Sequence, residues 1–198
     1  MVNAKRILIC CLAGVFGAGQ YTVQAATPME TVRESTKEVL QVLSDPAFEG
    51  EEKARERHDK IRAIIDEDFD WTAMCRRALG RHWRGKSEKQ QEEFIELFGK
   101  LLERRYMDKI DNYSGQEVRY QDERIEEDYA RVDVAIITDN DKEIDVQYRM
   151  HKKEKGWMVY DVVIEGVSLV MNYRSQFNSI LGRSSFDKLL EKLREKTE

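Results

Sequence analysis

Eight consecutive residues of this chain have the types and spacing to hold a phosphate. Gly80-Arg81-His82-Trp83-Arg84-Gly85-Lys86-Ser87 fits the pattern GxxxxGK[ST], in which backbone N–H groups curl round phosphates and the lysine reaches the outer ones. That chemistry needs a buried parallel strand before the loop and a helix after it. Here the preceding segment, Trp71 to Leu79, reads as a helix, and every strand-like stretch lies downstream. Four bulky side chains, Arg81 to Arg84, also stand where a tight loop is needed. The spacing instead predicts a turn between helices, with Gly80 closing one and Ser87 capping the next.

The other reactive residue types are scattered. His58, His82 and His151 have no second ligand at helical or hairpin spacing, so no metal site is predicted. Cys75 and His82 are close enough in sequence for a thiol–imidazole dyad, but Cys75 sits among Trp71, Met74 and Leu79 and reads as a small buried hydrophobe. Glu126-Glu127-Asp128 is a solvated turn between strands. No Ser-His-Asp order and no glycine-rich elbow is present. The residues predict no enzyme, no cofactor and no metal.

The elements that carry these residues begin after a leader. Lys5 and Arg6, the apolar run from Ile7 to Gly19 and Val23-Gln24-Ala25 form a signal peptide over residues 1–25, cleaved after Ala25 or Ala26. Leu8 and Ile9 before Cys10 and Cys11 do not make a lipoprotein cleavage box. The mature chain keeps one cysteine, Cys75, so no internal disulfide can form. Removing Lys5 and Arg6 leaves 31 basic against 38 acidic side chains, a net charge of −7. An acidic exported chain with no later membrane-spanning segment argues against nucleic acid as partner, and points to the periplasm of a diderm bacterium.

Periodicity predicts one α+β domain over residues 26–198, helical over 28–112, a sheet over 117–165 and C-terminal helices over 167–196. Met29, Val32, Thr36, Val39 and Leu43 recur at helical spacing after Thr27-Pro28, and a charged helix follows Gly50 to about Ile65. Asp70 is positioned to cap a short helix, and Ser87 with Gln90 makes a capping box for a long one to about Asp111. After Ser114-Gly115 the period becomes two. Val118 and Tyr120, then Val132, Val134 and Ile136, then Ile144, Val146, Tyr148 and Met150 alternate with polar residues, with a turn at Asp139-Asn140-Asp141. These runs and the strand from Trp157 predict a four-stranded antiparallel meander. A last amphipathic helix, capped by Ser184 or Ser185, carries Phe186, Leu189, Leu190 and Leu193.

The segment Trp157 to Phe177 reads as a buried strand that turns at Glu165-Gly166 into a helix, with Met158, Tyr160, Val162, Ile164, Val167, Val170 and Met171 facing inward. Together with the long helix it offers a large apolar surface. That surface is either a dry core, as in a protein-interaction module, or the wall of a cavity for an apolar ligand.

FDWTAMCRRALGRHWRG at 69–85, FIELFGKLLERRYMDKI at 94–110, YSGQEV at 113–118, YRMHKKEKGWMVYDVVIEGVSLVMNYRSQF at 148–177 and SFDKLLEKL at 185–193 resemble the toluene-tolerance (MlaC-type) family, over about 28–195. The resemblance implies a curved antiparallel sheet of NTF2-like form, packed with a helical subdomain that encloses an apolar cavity. It implies a monomeric periplasmic carrier whose cargo is a glycerophospholipid. Its partners would be an outer-membrane lipoprotein complex (MlaA-like) and an inner-membrane ABC transporter with an MCE-domain subunit (MlaD-like), in maintenance of outer-membrane lipid asymmetry. Burying an acyl CH₂ gains about 0.8 kcal/mol, so two chains gain on the order of 20 kcal/mol over water and require a matching apolar lining. The expected lining is Val132, Val134, Ile136, Val146, Tyr148 and Met150 from the sheet and Phe98, Leu101 and Tyr106 from the long helix. Val162, Ile164, Val167, Val170 and Met171 complete it, and a glutamate at Val167 is expected to abolish carriage.

Overall fold

A computed structural model of the chain describes residues 26–111, 113, 115–138 and 140–197. The signal peptide, and Ser114 and Asp139 of the predicted turns, lie outside the described residues. Among these residues the order is α1 (Pro28–Ser44), α2 (Ala54–Asp68), α3 (Trp71–Leu79), α4 (Glu88–Asp111), β1 (Glu117–Glu126), β2 (Tyr129–Ile137), β3 (Glu143–Lys153), β4 (Gly156–Ile164), β5 (Val167–Ser168), α5 (Leu169–Leu181) and α6 (Phe186–Thr197). The sheet is an antiparallel meander in the order β1-β2-β3-β4-β5, so the predicted α+β class holds, with a short fifth strand added.

The caps explain where the helices start. Thr27 Oγ1 accepts from the Glu30 N–H at 3.2 Å, and the Glu30 carboxylate accepts from the Thr27 N–H at 2.7 Å. Asp70 accepts from the Ala73 N–H at 2.8 Å and starts α3. Ser87 and Gln90 exchange the bonds of the predicted capping box ahead of α4. The phosphate-loop pattern is therefore an inter-helix turn, since Gly80–Trp83 is a 3-10 turn that follows a helix. α2 runs three residues past the predicted Ile65, and its Ile61 is fully buried, so it is less solvated than its charge pattern suggests.

Two apolar clusters hold the elements together. One joins α3, α4, α5 and α6 round an aromatic stack, with Phe94 edge-on to Phe177 at 5.4 Å and Phe98 edge-on to Tyr173 at 5.1 Å. The other is the inner sheet face with Val32 of α1 and Leu169 at the start of α5. Phe69 and Tyr106 pack against both.

The register shows why the strand β4 differs from its predicted phase. Tyr148 pairs with Val162 and Arg149 with Asp161, but Met150 pairs with Val159, leaving Tyr160 as an extra residue. This β-bulge reverses the alternation. Trp157 and Val159 join Val162 and Ile164 on the inner face. Met158 and Tyr160, predicted to face inward, lie on the other face. There Tyr160 meets the His151 ring at 5.4 Å and the Arg77 guanidinium at 4.1 Å.

Polar ties join α3 to the sheet and α2 to α4, and they make stability depend on pH. His151 on β3 lies 3.0 Å from the Asp70 carboxylate, and burial holds its imidazole below the ordinary value of 6.5 despite that neighbour. Burial pushes Asp70 up, but the Ala73 N–H and then His151 and Lys153 outweigh it and hold the carboxyl below 3.8. Asp111, bonded by Arg57 and His58, is held below 3.8 in the same way, those bonds overcoming its burial. In each case the unfolded chain binds protons that the folded chain does not, so stability is lost as the pH is lowered. Thermal melts are expected to show one step beginning near pH 6.5 and a second below 3.8. The variant His151→Gln should flatten the upper step and keep the lower.

Candidate functional site

A cavity of about 550 Å³ lies between the inner sheet face and helices α1, α2 and α4. Its size falls within the roughly 300–1,000 Å³ typical of ligand pockets. The sheet supplies Val118, Ile136, Ile144, Val146, Tyr148 and Ile164, which share one face because pairing sets them side by side. Val159, Val162 and Leu169 continue this wall. Opposite stands α1, whose Val39, Leu40 and Leu43 are only half-buried, because they border open space and not a packed neighbour. Ile65 of α2 and Leu102, Met107 and Ile110 of α4 close the remaining side.

The polar groups on the wall are tied up or kept neutral. Arg62 donates to Glu103 and to Asp66, each at 2.8 Å, and these partners outweigh the burial that opposes its charge. Gly99 lies beside it: a Cβ there would stand 2.8 Å from the guanidinium, so a larger residue would make the Arg62 side chain shift. The Asp68 carboxyl accepts from the Ser35 hydroxyl and is raised by burial. The Tyr148 phenol is pushed up to about 12, by burial first and Tyr120 second, and Tyr106 is raised by burial as well. Such a wall can shelter hydrocarbon, with the Ser35 hydroxyl engaged by Asp68 and the Thr36 hydroxyl by the Val32 carbonyl.

The residues weighed for chemistry lie elsewhere. Cys75 is fully buried in the helical cluster, and burial with nearby Asp70 pushes its thiol well above the ordinary range, which disfavours the thiolate. Among the described residues no three His, Cys, Asp or Glu side chains converge as metal ligands.

The predicted lining divides into three groups. Tyr106, Ile136, Val146, Tyr148, Val162 and Ile164 stand on the cavity wall. Val132, Val134 and Met150 are packed in the sheet-side cluster, while Phe98 and Val170 belong to the helical cluster with Leu101 against it. The expectation for Val167 and Met171 is corrected, since they are 55% and 52% exposed. The helix α5 begins at Leu169 with Ser168 as its cap, so its buried stripe is Leu169, Val170, Tyr173 and Phe177, and Met171 falls off that stripe. Val167 sits in the edge strand β5 opposite Ile164. A glutamate at Val167 therefore meets solvent and does not test the cavity.

The α1 wall was missed, as were Ile65 and the Leu102, Met107 and Ile110 side of α4. The apolar spacing of α1 marked its face, but nothing in it distinguishes a helix that borders a cavity from one that packs.

Similar proteins have been characterised. The family model for MlaC protein matches residues 33–195. The chain is 28% identical over 170 residues to the intermembrane phospholipid transport system binding protein MlaC of Haemophilus influenzae, covering 79% of each chain. It is 22% identical over 168 residues to toluene tolerance protein ttg2D of Pseudomonas putida, covering 84% of this chain and 78% of that one. Its structure is similar to that of a phospholipid-binding protein from Ralstonia solanacearum in complex with a phospholipid. That likeness has a TM-score of 0.76 and 26% identity, covering 87% of this chain and 97% of the other.

Proposed function

The chain belongs to the MlaC family, and from that premise we propose that it carries glycerophospholipid through the periplasm. It takes the acyl chains into the cavity between α1, α4 and the sheet, and shuttles the lipid between an outer-membrane lipoprotein complex (MlaA-like) and an inner-membrane ABC transporter with an MCE-domain subunit (MlaD-like). This exchange contributes to outer-membrane lipid asymmetry. The observation that carries the reading is the cavity itself, about 550 Å³ with a mainly apolar wall, where a dry interaction module would have packed side chains. The phospholipid held by the Ralstonia relative supports it. Lipid in such a pocket and lipid in a bilayer are similarly stable, so exchange is close to reversible and direction comes from the partners. The reading assigns no catalytic step.

Organic extraction of the purified mature protein, followed by mass spectrometry, is expected to yield phospholipid near stoichiometry. A clean extract with no uptake from labelled vesicles would sink the carrier reading in favour of a dry module. Stripping the lipid should lower Tm by roughly 5–10 °C. A ligand at a hundredfold excess over Kd adds about 2.7 kcal/mol, and each kcal/mol moves a domain of this size about 2–4 °C.

A further inference from the structure

Two stretches of this acidic chain contain no carboxylate at all. Residues 71–87 and 167–185 carry six arginines, one lysine and no aspartate or glutamate, although the whole chain has 38 acidic side chains. The fold brings the two stretches together, with α3 packed on α5. Gly80 lies beneath the Arg174 guanidinium, where an added Cβ would come within 2.9 Å of it. Arg77 is engaged by the Tyr160 ring and the Ala73 carbonyl. Among the described residues, Arg76, Arg81, Arg84, Lys86, Arg174 and Arg183 take part in no ion pair, whereas the arginines of β1 are paired with Glu117 and Asp122. None of the six borders the cavity. The same stretch of α5 and its approach exposes Val167 and Met171.

We propose that this face, the turn after α3 together with the exposed side of α5, is a docking surface for a carboxylate-rich patch on a partner protein. The proposal rests on the carrier reading for the identity of the partners. Charge complementarity sets the chemistry: uncompensated cations on two packed elements of an acidic molecule select an acidic surface and fix the orientation of approach. The residue type separates a protein from a membrane. Arginine outnumbers lysine six to one here, against twelve to fourteen in the rest of the chain. Guanidinium forks match carboxylates two bonds at a time, and arginine is enriched at protein interfaces while lysine is depleted. Val167 and Met171 add the exposed apolar contact that such an interface buries. The cavity stays clear of the contact, so cargo and partner can be held at once.

The test uses the full mature chain and two purified probes, the soluble MCE-domain assembly and the outer-membrane lipoprotein complex in detergent. Wild-type binding to at least one of them is expected to weaken as salt rises from about 0.05 to 0.5 M. The double variant Arg81→Glu, Arg84→Glu, and separately Arg174→Glu, should weaken it about tenfold per reversed charge, with lipid content unchanged. Arg119→Glu and Arg124→Glu on β1 should leave it unaltered. Reversals without effect, or a wild-type chain that binds neither probe, would overturn the docking face even when the extract contains lipid. So would a loss of binding seen only on phosphatidylglycerol vesicles. A lipid-free chain that still docks through these arginines would support the face while defeating the carrier reading.

Discussion

Ile144→Glu should reduce the phospholipid recovered per protein at least a hundredfold while leaving the protein folded. Ile144 stands on the cavity wall on β3, opposite Ile136, and is half-buried. In the lipid-free protein its carboxylate keeps access to solvent, because position 144 is only half-buried. With acyl chains in place the same carboxylate must lose that water and gains no partner. Desolvating an unpaired polar group costs several kcal/mol, and 2.8 kcal/mol already corresponds to about a hundredfold in Kd. The stability of the lipid-free protein should fall by only about 1 kcal/mol, because Ile144 is half-buried and lies at the margin of the sheet-side cluster. Ile144→Leu keeps volume and polarity and should load normally. Val167→Glu puts the same charge on the exposed edge strand β5 and should load normally too. Lipid per protein by mass spectrometry, with urea denaturation of each stripped variant, decides the matter. Equal loading of Ile144→Glu and wild type would mean that the cavity is not where the chains go.

The contrast between Ile144 and Val167 shows which features were legible in the sequence. Strict alternation over β2 and β3 placed Ile136, Val146 and Tyr148 on the inner face, since no bulge interrupts their pairing. The same rule failed on β4, where one extra residue at Tyr160 reverses the phase and exchanges Met158 for Val159. A bulge depends on how two strands pair, and a single strand's pattern does not record it. Helix faces were legible, but the neighbour of each face was not. In α4, Phe98 and Leu101 pack in the helical cluster, Leu102 and Tyr106 border both that cluster and the cavity, and Ile110 borders the cavity, yet all belong to one broad apolar stripe. Capping was the most local signal and was read directly at Asp70 and Ser87, while Thr27-Pro28 marked the start of α1 without its capping box. The acid-free stretches were equally visible in composition, but only the packing of α3 on α5 makes them one surface.

The bulge also lies beside Asp161, the more buried of the two buried polar or charged side chains among the described residues, the other being His151. Asp161, next to Tyr160, is 3% exposed and faces away from the cavity, opposite Arg149. Its carboxylate accepts from the Ser168 hydroxyl at 2.6 Å, the Val170 N–H at 3.1 Å and Arg149 at 3.3 Å. Ser168 Oγ in turn accepts from the Met171 N–H at 3.0 Å, so one carboxylate organises the whole N-terminus of α5 and meets the positive end of its dipole. Asp161→Ala should therefore destabilise the protein by about 3 kcal/mol. The Val170 N–H is left buried without an acceptor, which costs about 1–3 kcal/mol, and the serine cap loses its anchor for about 1 more. Arg149 adds little, because at 40% exposure it returns to water. Asp161→Asn keeps an acceptor but loses the charge, and should cost about half as much. Ser168→Ala combined with Asp161→Ala should cost less than the sum of the two, since both act through one network. Urea denaturation of the four proteins measures this cycle, and an Asp161→Ala cost below about 1 kcal/mol would remove the carboxylate from that role. Leu169, held between Ser168 and Val170, is part of the cavity wall. Loosening the junction should therefore lower lipid loading under conditions where the variant is still folded, which connects the polar latch on one face of β4 to the apolar site on the other.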